Sequence, residues 1–217
     1  MLILAFDTAT PAVTVAAADG SDVLAHESVV DARRHGEVLA PSIAMVLAKA
    51  GARPEDLTAI AVGTGPGPYT GLRVGLVTAR VLGSALGVPV DGVCTLDIIA
   101  AEARHAARGG EFIVATDARR REVYWARYAA SGERLSEPQV SAPGLVPAGR
   151  PVAGEGAVLH PDLGGGGVLE PRFPSAAALA EIAAEHITRG VPPTPPEALY
   201  LRRPDAREPG RPKRVTP

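Results

Sequence analysis

The first thirty residues alternate apolar runs with polar turns, a pattern that predicts three strands. Residues 2–6 are uniformly apolar, as expected of a strand that is covered on both faces. Residues 12–18 alternate and end at a polar turn, and residues 23–30 form a third run. Since the connections are short, these strands are predicted to form an antiparallel meander.

From residue 36 the apolar spacing becomes helical. Leu39, Ile43 and Val46 lie on one side of a helix predicted over residues 36–50, which Gly51 ends. The pattern then predicts further elements: strands over residues 57–62 and 88–93, and helices over residues 70–86 and 96–108. Strands that alternate with helices in this way predict a mixed sheet flanked by helices, an α/β architecture.

The second half of the chain begins like the first. An apolar run over residues 112–116 ends in Asp117, as the first strand ends in Asp7. Asp7 is followed by valines after six and eight residues, and Asp117 is followed by Val123 and Trp125 at the same offsets. The repeat predicts two related lobes.

Three regions follow from this repeat. Residues 1–108 are predicted to form an N-terminal lobe and residues 109–190 a shortened, degenerate C-terminal lobe, with residues 191–217 as a closing segment and flexible tail. Residues 138–173 are rich in proline and glycine, so no regular element is predicted before a helix over residues 175–186.

Composition narrows the class of protein. The chain has 217 residues, is 46% hydrophobic and carries a net charge of -2, which gives no support to a free-standing nucleic-acid binder. The single cysteine, Cys94, excludes an internal disulfide framework and fits a reducing compartment. With neither a signal-peptide pattern nor a membrane-length apolar run, a cytoplasmic protein is expected.

Asp7, Thr8 and Asp117 are the candidate cofactor-binding residues, because they stand where the first strand of each lobe ends. In two-lobed proteins such carboxylates and hydroxyls can hold a metal–phosphate group. The competing interpretation is that Asp7 caps a tight turn with its own side chain. Both interpretations stay open, and the site is at most a vestigial cleft.

Residues 63–75, GTGPGPYTGLRVG, form a glycine-rich turn that opens the second helix. They match neither G-x-x-x-x-G-K-[ST] nor G-x-G-x-x-G, and Pro66 and Pro68 have no N–H to offer an anion. A rigid entry into the helix, with Thr70 as N-cap, is therefore expected.

Small residues recur every four positions along that helix, at Gly71, Gly75, Ala79, Gly83 and Gly87. Each interior glycine costs about 1 kcal/mol against alanine, so close packing must offset the penalty. The group that packs on this side could belong to the same fold or to another chain. The first helix offers a second candidate surface.

No catalytic or metal-binding residues are predicted. No serine stands in G-x-S-x-G, and Cys94 has no neighbouring base. No pair of histidines has the spacing of metal ligands.

Four segments together resemble the TsaB family, also called YeaZ: LILAFDTAT at residues 2–10, GPGPYTGLRVG at 65–75, DARRREVYW at 117–125 and PEALYLR at 196–202. The resemblance implies the two-lobed actin/Hsp70-like ATPase fold (ASKHA, RNase H-like). It also implies a role in forming N6-threonylcarbamoyladenosine at position 37 of tRNA. In that pathway the related transferase TsaD carries the chemistry, and TsaB activates it.

The resemblance further implies partners. They are a TsaD-like catalytic paralogue, a TsaE-like ATPase, tRNA reached through the complex, and a second copy of the chain when it is alone. TsaD carries a His-x-x-x-His metal motif where this chain has GVCTLD at residues 92–97, so transferase chemistry is not expected here. No independently bound cofactor is expected, and ATP or ADP is a candidate ligand only at the junction with the partners.

The first two helices supply the partner-binding residues in this hypothesis. They are Leu39, Ser42, Ile43, Met45, Thr70, Gly71, Arg73, Val74, Gly75, Thr78, Ala79 and Leu82. Two alternatives from the enzyme class stay open: a stand-alone ATPase or phosphotransferase that uses Asp7 and Asp117, and, with less support, an M22-type metallopeptidase.

Overall fold

The computed structural model describes residues 1–202. The part of the predicted tail at residues 203–217 lies outside the described residues. Two sheets of five strands each dominate the described chain. None of the helices in residues 1–202 combines the length and apolarity that a membrane span requires.

The first sheet has the spatial order β3-β2-β1-β4-β5. Its strands are β1 (Ile3–Asp7), β2 (Ala12–Ala18), β3 (Val23–Val30), β4 (Ala59–Gly63) and β5 (Val90–Val93). The pairs β1–β2 and β2–β3 are antiparallel, so the predicted meander is confirmed. The pairs β1–β4 and β4–β5 are parallel, and α-helices make the crossovers between them.

The second sheet repeats the first strand for strand, in the order β8-β7-β6-β9-β10. Its strands are β6 (Phe112–Asp117), β7 (Val123–Tyr128), β8 (Gln139–Ser141), β9 (Arg150–Ala153) and β10 (Gly165–Leu169). The meander is again antiparallel and the last two pairings are again parallel. The two-lobed mixed α/β fold predicted from the sequence repeat is therefore confirmed.

Five α-helices within residues 1–202 flank the sheets. They are α1 (His35–Lys49), α2 (Tyr69–Leu86), α3 (Thr95–Ala103), α4 (Glu155–Leu159) and α5 (Ala176–Thr188). The second lobe is reduced in its helices, not in its sheet. The five-residue α4 stands where the first lobe has the 18-residue α2, and a single 3₁₀ turn, Pro143–Leu145, stands where it has α1.

The prediction that residues 138–173 lack regular structure was wrong. This stretch contains β8, β9, α4 and β10, which complete the second sheet. The strands are short, and β10 has the sequence GGGVL, in which three glycines supply backbone hydrogen bonds without an apolar pattern. A prediction based on side-chain periodicity has no signal to detect in such a strand.

The core of each lobe follows the alternation of its strands. In β1, Leu4 and Phe6 pack against α1 and α2, whereas Ile3 and Ala5 face the opposite side, where α5 packs. The last helix of each lobe therefore crosses to the other lobe: α5 packs on the first sheet and α3 on the second. The domain boundaries at residues 108 and 190 stay predictions.

The closing segment, residues 191–202, runs over both lobes. The Gly92 N–H donates to the Thr194 carbonyl (2.8 Å), and the Leu199 N–H donates to the Thr64 carbonyl (2.9 Å). The Arg202 guanidinium donates to the Ala118 carbonyl of the second lobe (2.9 Å). These bonds hold the segment across the opening between the lobes.

Candidate functional site

Asp7 lies at the end of β1 and is fully buried. One carboxylate oxygen accepts the Ala9 N–H (2.7 Å) and the other accepts the Thr95 hydroxyl (2.6 Å). Burial raises the pKa of Asp7 to about 6, although the hydrogen bonds from Thr95 and Ala9 favour its charged form. The Thr95 hydroxyl also accepts the Gly65 N–H (3.0 Å), so Thr95 connects the glycine-rich turn to α3 and Asp7 connects β1 to the same residue.

Thr8 joins the turn after β1 to α2. Its hydroxyl donates to the Gly71 carbonyl (2.7 Å) and accepts the Gly75 N–H (3.0 Å). In a regular helix those two backbone groups bond to each other, so the threonine hydroxyl is inserted between them. The cofactor-binding role of Asp7 and Thr8 stays a prediction, and both side chains already serve contacts inside the chain.

The small-residue side of α2 faces the first lobe. Gly71, Gly75, Ala79 and Gly83 are buried. A Cβ at Gly71 would lie 2.6 Å from the Thr8 carbonyl oxygen, and one at Gly83 would overlap Val90 of β5. The hypothesis that another chain packs on this side was therefore wrong, and the alternative, packing within the fold, is correct. Gly87 lies beyond the helix, where a φ of 69° ends it.

The entry to α2 also differs from the prediction. The helix begins at Tyr69 with Pro68 as its N-cap, and no side chain caps it. Thr70 is the second residue of the helix instead of the N-cap. The fixed φ of proline and the preceding buried turn set the direction of the helix without a capping hydroxyl.

The predicted partner-binding residues divide into two groups. Six are buried within the chain: Leu39, Ser42, Ile43, Gly71, Gly75 and Ala79. Six reach the surface wholly or in part: Met45, Thr70, Arg73, Val74, Thr78 and Leu82. The partner-binding role of the set stays a prediction, and it depends on the second group, because the first contacts only this chain.

An exposed apolar surface lies on the side of α1 and α2 that points away from the sheet. We call it the outer face and define it by Met45 of α1 and by Val77 and Val81 of α2, which are 57% and 60% exposed. Ala44 and Ala48 of α1 are also exposed. Val77 and Val81 were not among the predicted partner-binding residues, although both lie on the side of the helix opposite to the glycines.

Asp117 occupies in the second lobe the place of Asp7 in the first. Its carboxylate accepts the Arg119 N–H (2.7 Å) and forms an ion pair with the Arg119 guanidinium (3.2 Å). The turn after it has Arg119, Arg120 and Arg121 in succession at φ values of 62°, 55° and 60°. Asp117 therefore stabilises a strained, arginine-rich turn, and its role toward a cofactor stays a prediction.

Residues 92–97 contain the end of β5 and the start of α3. Burial raises the pKa of the Cys94 thiol to about 12. Burial also raises the pKa of Asp97, which accepts the Tyr128 hydroxyl (2.7 Å) and pairs with Arg134 (3.1 Å). Within residues 1–202 no three or more histidine, cysteine or acidic side chains are grouped as metal ligands would be.

Comparison with known proteins assigns the family. The model of the TsaD family, tRNA N6-adenosine threonylcarbamoyltransferase, matches residues 24–147. A structure from Pseudomonas aeruginosa, described as an uncharacterized protein with similarity to peptidase YEAZ, has a TM-score of 0.80 and 30% identity, and the match covers 93% of this chain and 99% of that one. The chain belongs to the TsaB/YeaZ family.

Other relatives of this TsaB/YeaZ chain agree. YeaZ from Pseudomonas aeruginosa superposes with a TM-score of 0.80 at 29% identity, over 92% of this chain and 99% of that one. The Escherichia coli tRNA threonylcarbamoyladenosine biosynthesis protein TsaB is 38% identical over 128 residues, 59% of this chain and 55% of that protein. The uncharacterized protein Rv3421c of Mycobacterium tuberculosis is 46% identical over 207 residues, 94% of this chain and 93% of that one.

The length of the match differs among these relatives. The aligned region spans about half of the E. coli TsaB and 56% of the uncharacterized Mycobacterium leprae protein ML0378. The family assignment confirms the resemblance drawn from the four sequence segments. It also agrees with the duplicated sheet.

Proposed function

We propose that this TsaB-family chain is a noncatalytic subunit in the biosynthesis of N6-threonylcarbamoyladenosine in tRNA, and that it binds and activates a TsaD-like transferase. The observation that carries the pathway assignment is the similarity to proteins named for that biosynthesis, at 38% identity for E. coli TsaB. The activator role is our inference from the outer face and from the way the chain uses its polar side chains.

The outer face supports docking of a partner subunit. Val77 and Val81 of α2 expose more than half of their surface, and Met45 of α1 is also exposed. Burial of one such side chain is worth roughly 1.5–3 kcal/mol, so exposed apolar side chains on these helices favour binding of a partner. The flexible Met45 side chain suits adaptable contacts.

The noncatalytic assignment is supported by the contacts of the polar groups. Asp7 and Thr8, the residues most suited to hold a phosphate, are bonded to Ala9, Thr95 and the backbone of α2. Cys94 is the only cysteine, and its raised pKa keeps the thiol protonated at neutral pH. In our proposal the transferase chemistry belongs to the catalytic paralogue.

Substitution of Val81 by glutamate tests the docking proposal. A charge in an apolar interface is expected to weaken binding of the TsaD-like subunit by about tenfold or more. The matched control is Leu145→Glu, which places the same charge at a side chain of the second lobe that is 74% exposed. Co-purification and the threonylcarbamoyladenosine content of tRNA are measured for both. Equal binding by both variants would contradict the assignment of the outer face.

The remaining partners are part of the same proposal. A homodimer would use the outer face when the catalytic subunit is absent, so the two assemblies would compete for one surface. Adding the TsaD-like subunit is then expected to convert dimer to heterodimer in sedimentation experiments. A TsaE-like ATPase, and ATP or ADP at the junction of the subunits, are expected only with the assembled complex. ATP turnover or peptide cleavage by the chain alone would favour the enzyme alternatives instead.

A further inference from the structure

Two cavities meet at Pro68 and Arg119 and form one groove across the start of α2. The first, about 280 Å³, lies between the glycine-rich turn and the turn that follows β6. The second, about 230 Å³, lies between the turn after β1 and the start of α1. Since Pro68 and Arg119 line both cavities, we treat them as a single feature and call it the basic groove.

The charge of the basic groove is one-sided. Its ionisable side chains are Arg33, His35, Arg119, Arg120 and Arg202, with no aspartate or glutamate among the described residues that line it. The whole chain has a net charge of -2, so this is a local concentration of positive charge. By contrast, the cavity beside α3 is lined by three acidic residues.

Arg119 and Arg202 have acidic partners just outside the basic groove, and Arg120 is also engaged in an interaction of its own. Arg119 pairs with Asp117, but its side chain is 58% exposed, and exposed pairs of this kind are worth little. Arg202 pairs with Glu122 and also donates to the Ala118 carbonyl, which holds its guanidinium at the groove wall. These contacts orient the arginines and leave the groove itself positively charged.

Aromatic rings lie beside this charge. The rings of Tyr69 and Tyr200 stack with centroids 5.4 Å apart, and each residue is 46% exposed. The Arg73 guanidinium lies 4.4 Å from the centroid of the Tyr69 ring. Exposed aromatic rings next to arginines are the means by which proteins bind single-stranded nucleic acid, with bases on the rings and phosphates on the cations.

The backbone conformation of the arginine turn supports a functional role for its side chains. Arg119, Arg120 and Arg121 all occupy the left-handed region, where glycine and asparagine are favoured and other residues are strained. A hairpin turn with three arginines in that conformation keeps these side chains against the preference of the backbone. Strain retained in this way is typical of functional sites.

We propose that the basic groove binds a single strand of RNA, with phosphates on Arg33, Arg119 and Arg120 and a base on the Tyr200 ring, which Tyr69 supports from its other face. The proposal deepens the proposed function, because the pathway assignment makes tRNA the RNA in question. In the proposed function tRNA is reached through the complex, whereas here the RNA contacts this chain directly.

Fluorescence anisotropy of the full chain with a labelled single-stranded RNA oligonucleotide tests the groove. Arg119→Gly removes one cation and relieves the left-handed strain, so RNA affinity should fall about tenfold while the melting temperature does not. The slope of log affinity against log salt should fall by about 0.7 for one lost phosphate contact. Arg119→Lys, which keeps the charge, should restore most of the affinity.

The matched control is Arg108→Gly. Arg108 is exposed and also left-handed, with a φ of 47°, but it precedes β6, whereas the arginine turn follows that strand. This variant should bind RNA like the unmodified chain.

Tyr200→Ala should weaken binding about fivefold or more, whereas Tyr200→Phe, which keeps the ring, should not.

Three outcomes would overturn the proposal: no RNA binding by the unmodified chain, equal loss in the Arg108 and Arg119 variants, or binding of ATP but not RNA in the groove. The pathway is judged separately, by the threonylcarbamoyladenosine content of tRNA and by capture of the TsaD-like subunit. If those measurements fail while Arg119→Gly still weakens RNA binding, the groove stands and the proposed function does not. If they succeed but the chain alone binds no RNA, the groove is refuted and the proposed function stands.

Discussion

Gly75→Ala tests the conclusion that the small-residue side of α2 packs inside the lobe. A Cβ at this position would lie 2.5 Å from the Thr8 hydroxyl oxygen and 3.7 Å from a methyl group of Val62. The hydroxyl cannot yield freely, because it holds hydrogen bonds to the helix backbone at residues 71 and 75. The added methyl group must therefore displace the helix or break those bonds.

The expected change in the free energy of unfolding is the balance of opposing contributions. Alanine should gain about 1 kcal/mol over glycine in a helix interior. Overpacking costs about 1–3 kcal/mol, and each buried polar group left without a partner costs about 1–3 kcal/mol. The net expectation for Gly75→Ala is a loss of about 1–3 kcal/mol in the free energy of unfolding.

The sign should reverse when Thr8 is also replaced. In a Thr8→Ala background the hydroxyl is gone, so the methyl group fits and the gain in helix propensity, about 1 kcal/mol, should appear. Urea unfolding followed by circular dichroism measures all four proteins of this double-mutant cycle, with an expected coupling of about 2–4 kcal/mol. Val77→Ala, on the exposed side of the same helix, is the control and should change stability by less than about 0.5 kcal/mol.

A stabilising Gly75→Ala in both backgrounds would refute this reasoning. It would mean that the small-residue side has free space in front of it. The idea that another chain covers that side would then return.

Two further predictions concern buried ionisable groups. Because the pKa of Asp7 is raised from 3.8 to about 6 in the fold, stability from this group is greatest below pH 3.8 and is lost as pH rises through 6. The free energy of unfolding of Asp7→Asn, relative to that of the unmodified chain, should therefore rise by about 3 kcal/mol between pH 4 and pH 7. A difference in unfolding free energy that does not vary with pH would count against this prediction. Because the pKa of Cys94 is raised from 9.0 to about 12, its alkylation at neutral pH should be about a thousandfold slower in the folded chain than in denaturant. Equal rates would contradict the burial of the thiol.

Much of the fold could be predicted from periodicity and from the repeat. The strands of the first meander, the strands β6 and β7, and the helices α1, α2, α3 and α5 lie close to where the apolar spacing places them. The elements of residues 138–173 could not be predicted, because short glycine-rich strands are held by backbone hydrogen bonds that leave no side-chain pattern.

The candidate site was less accessible to sequence reasoning. The small residues of α2 were identified from the sequence, but whether the same fold or another chain covers them was not. The helix has small residues on one side and valines on the other, and either side could face the sheet. Val77 and Val81 are exposed because the first lobe packs against the side of the helix that carries Gly75. Likewise, the near-neutral charge of the whole chain hides the basic groove.

The order of residues along the chain was enough to establish the duplicated α/β plan, the family and the glycine-rich entry to α2. Only the three-dimensional fold decided which side of that helix is covered, which lobe each final helix joins, and that Arg119 meets Pro68 about fifty residues away. The reason is physical. Local periodicity constrains one element at a time, whereas burial and clustered charge depend on contacts between distant segments that only the closed structure brings together.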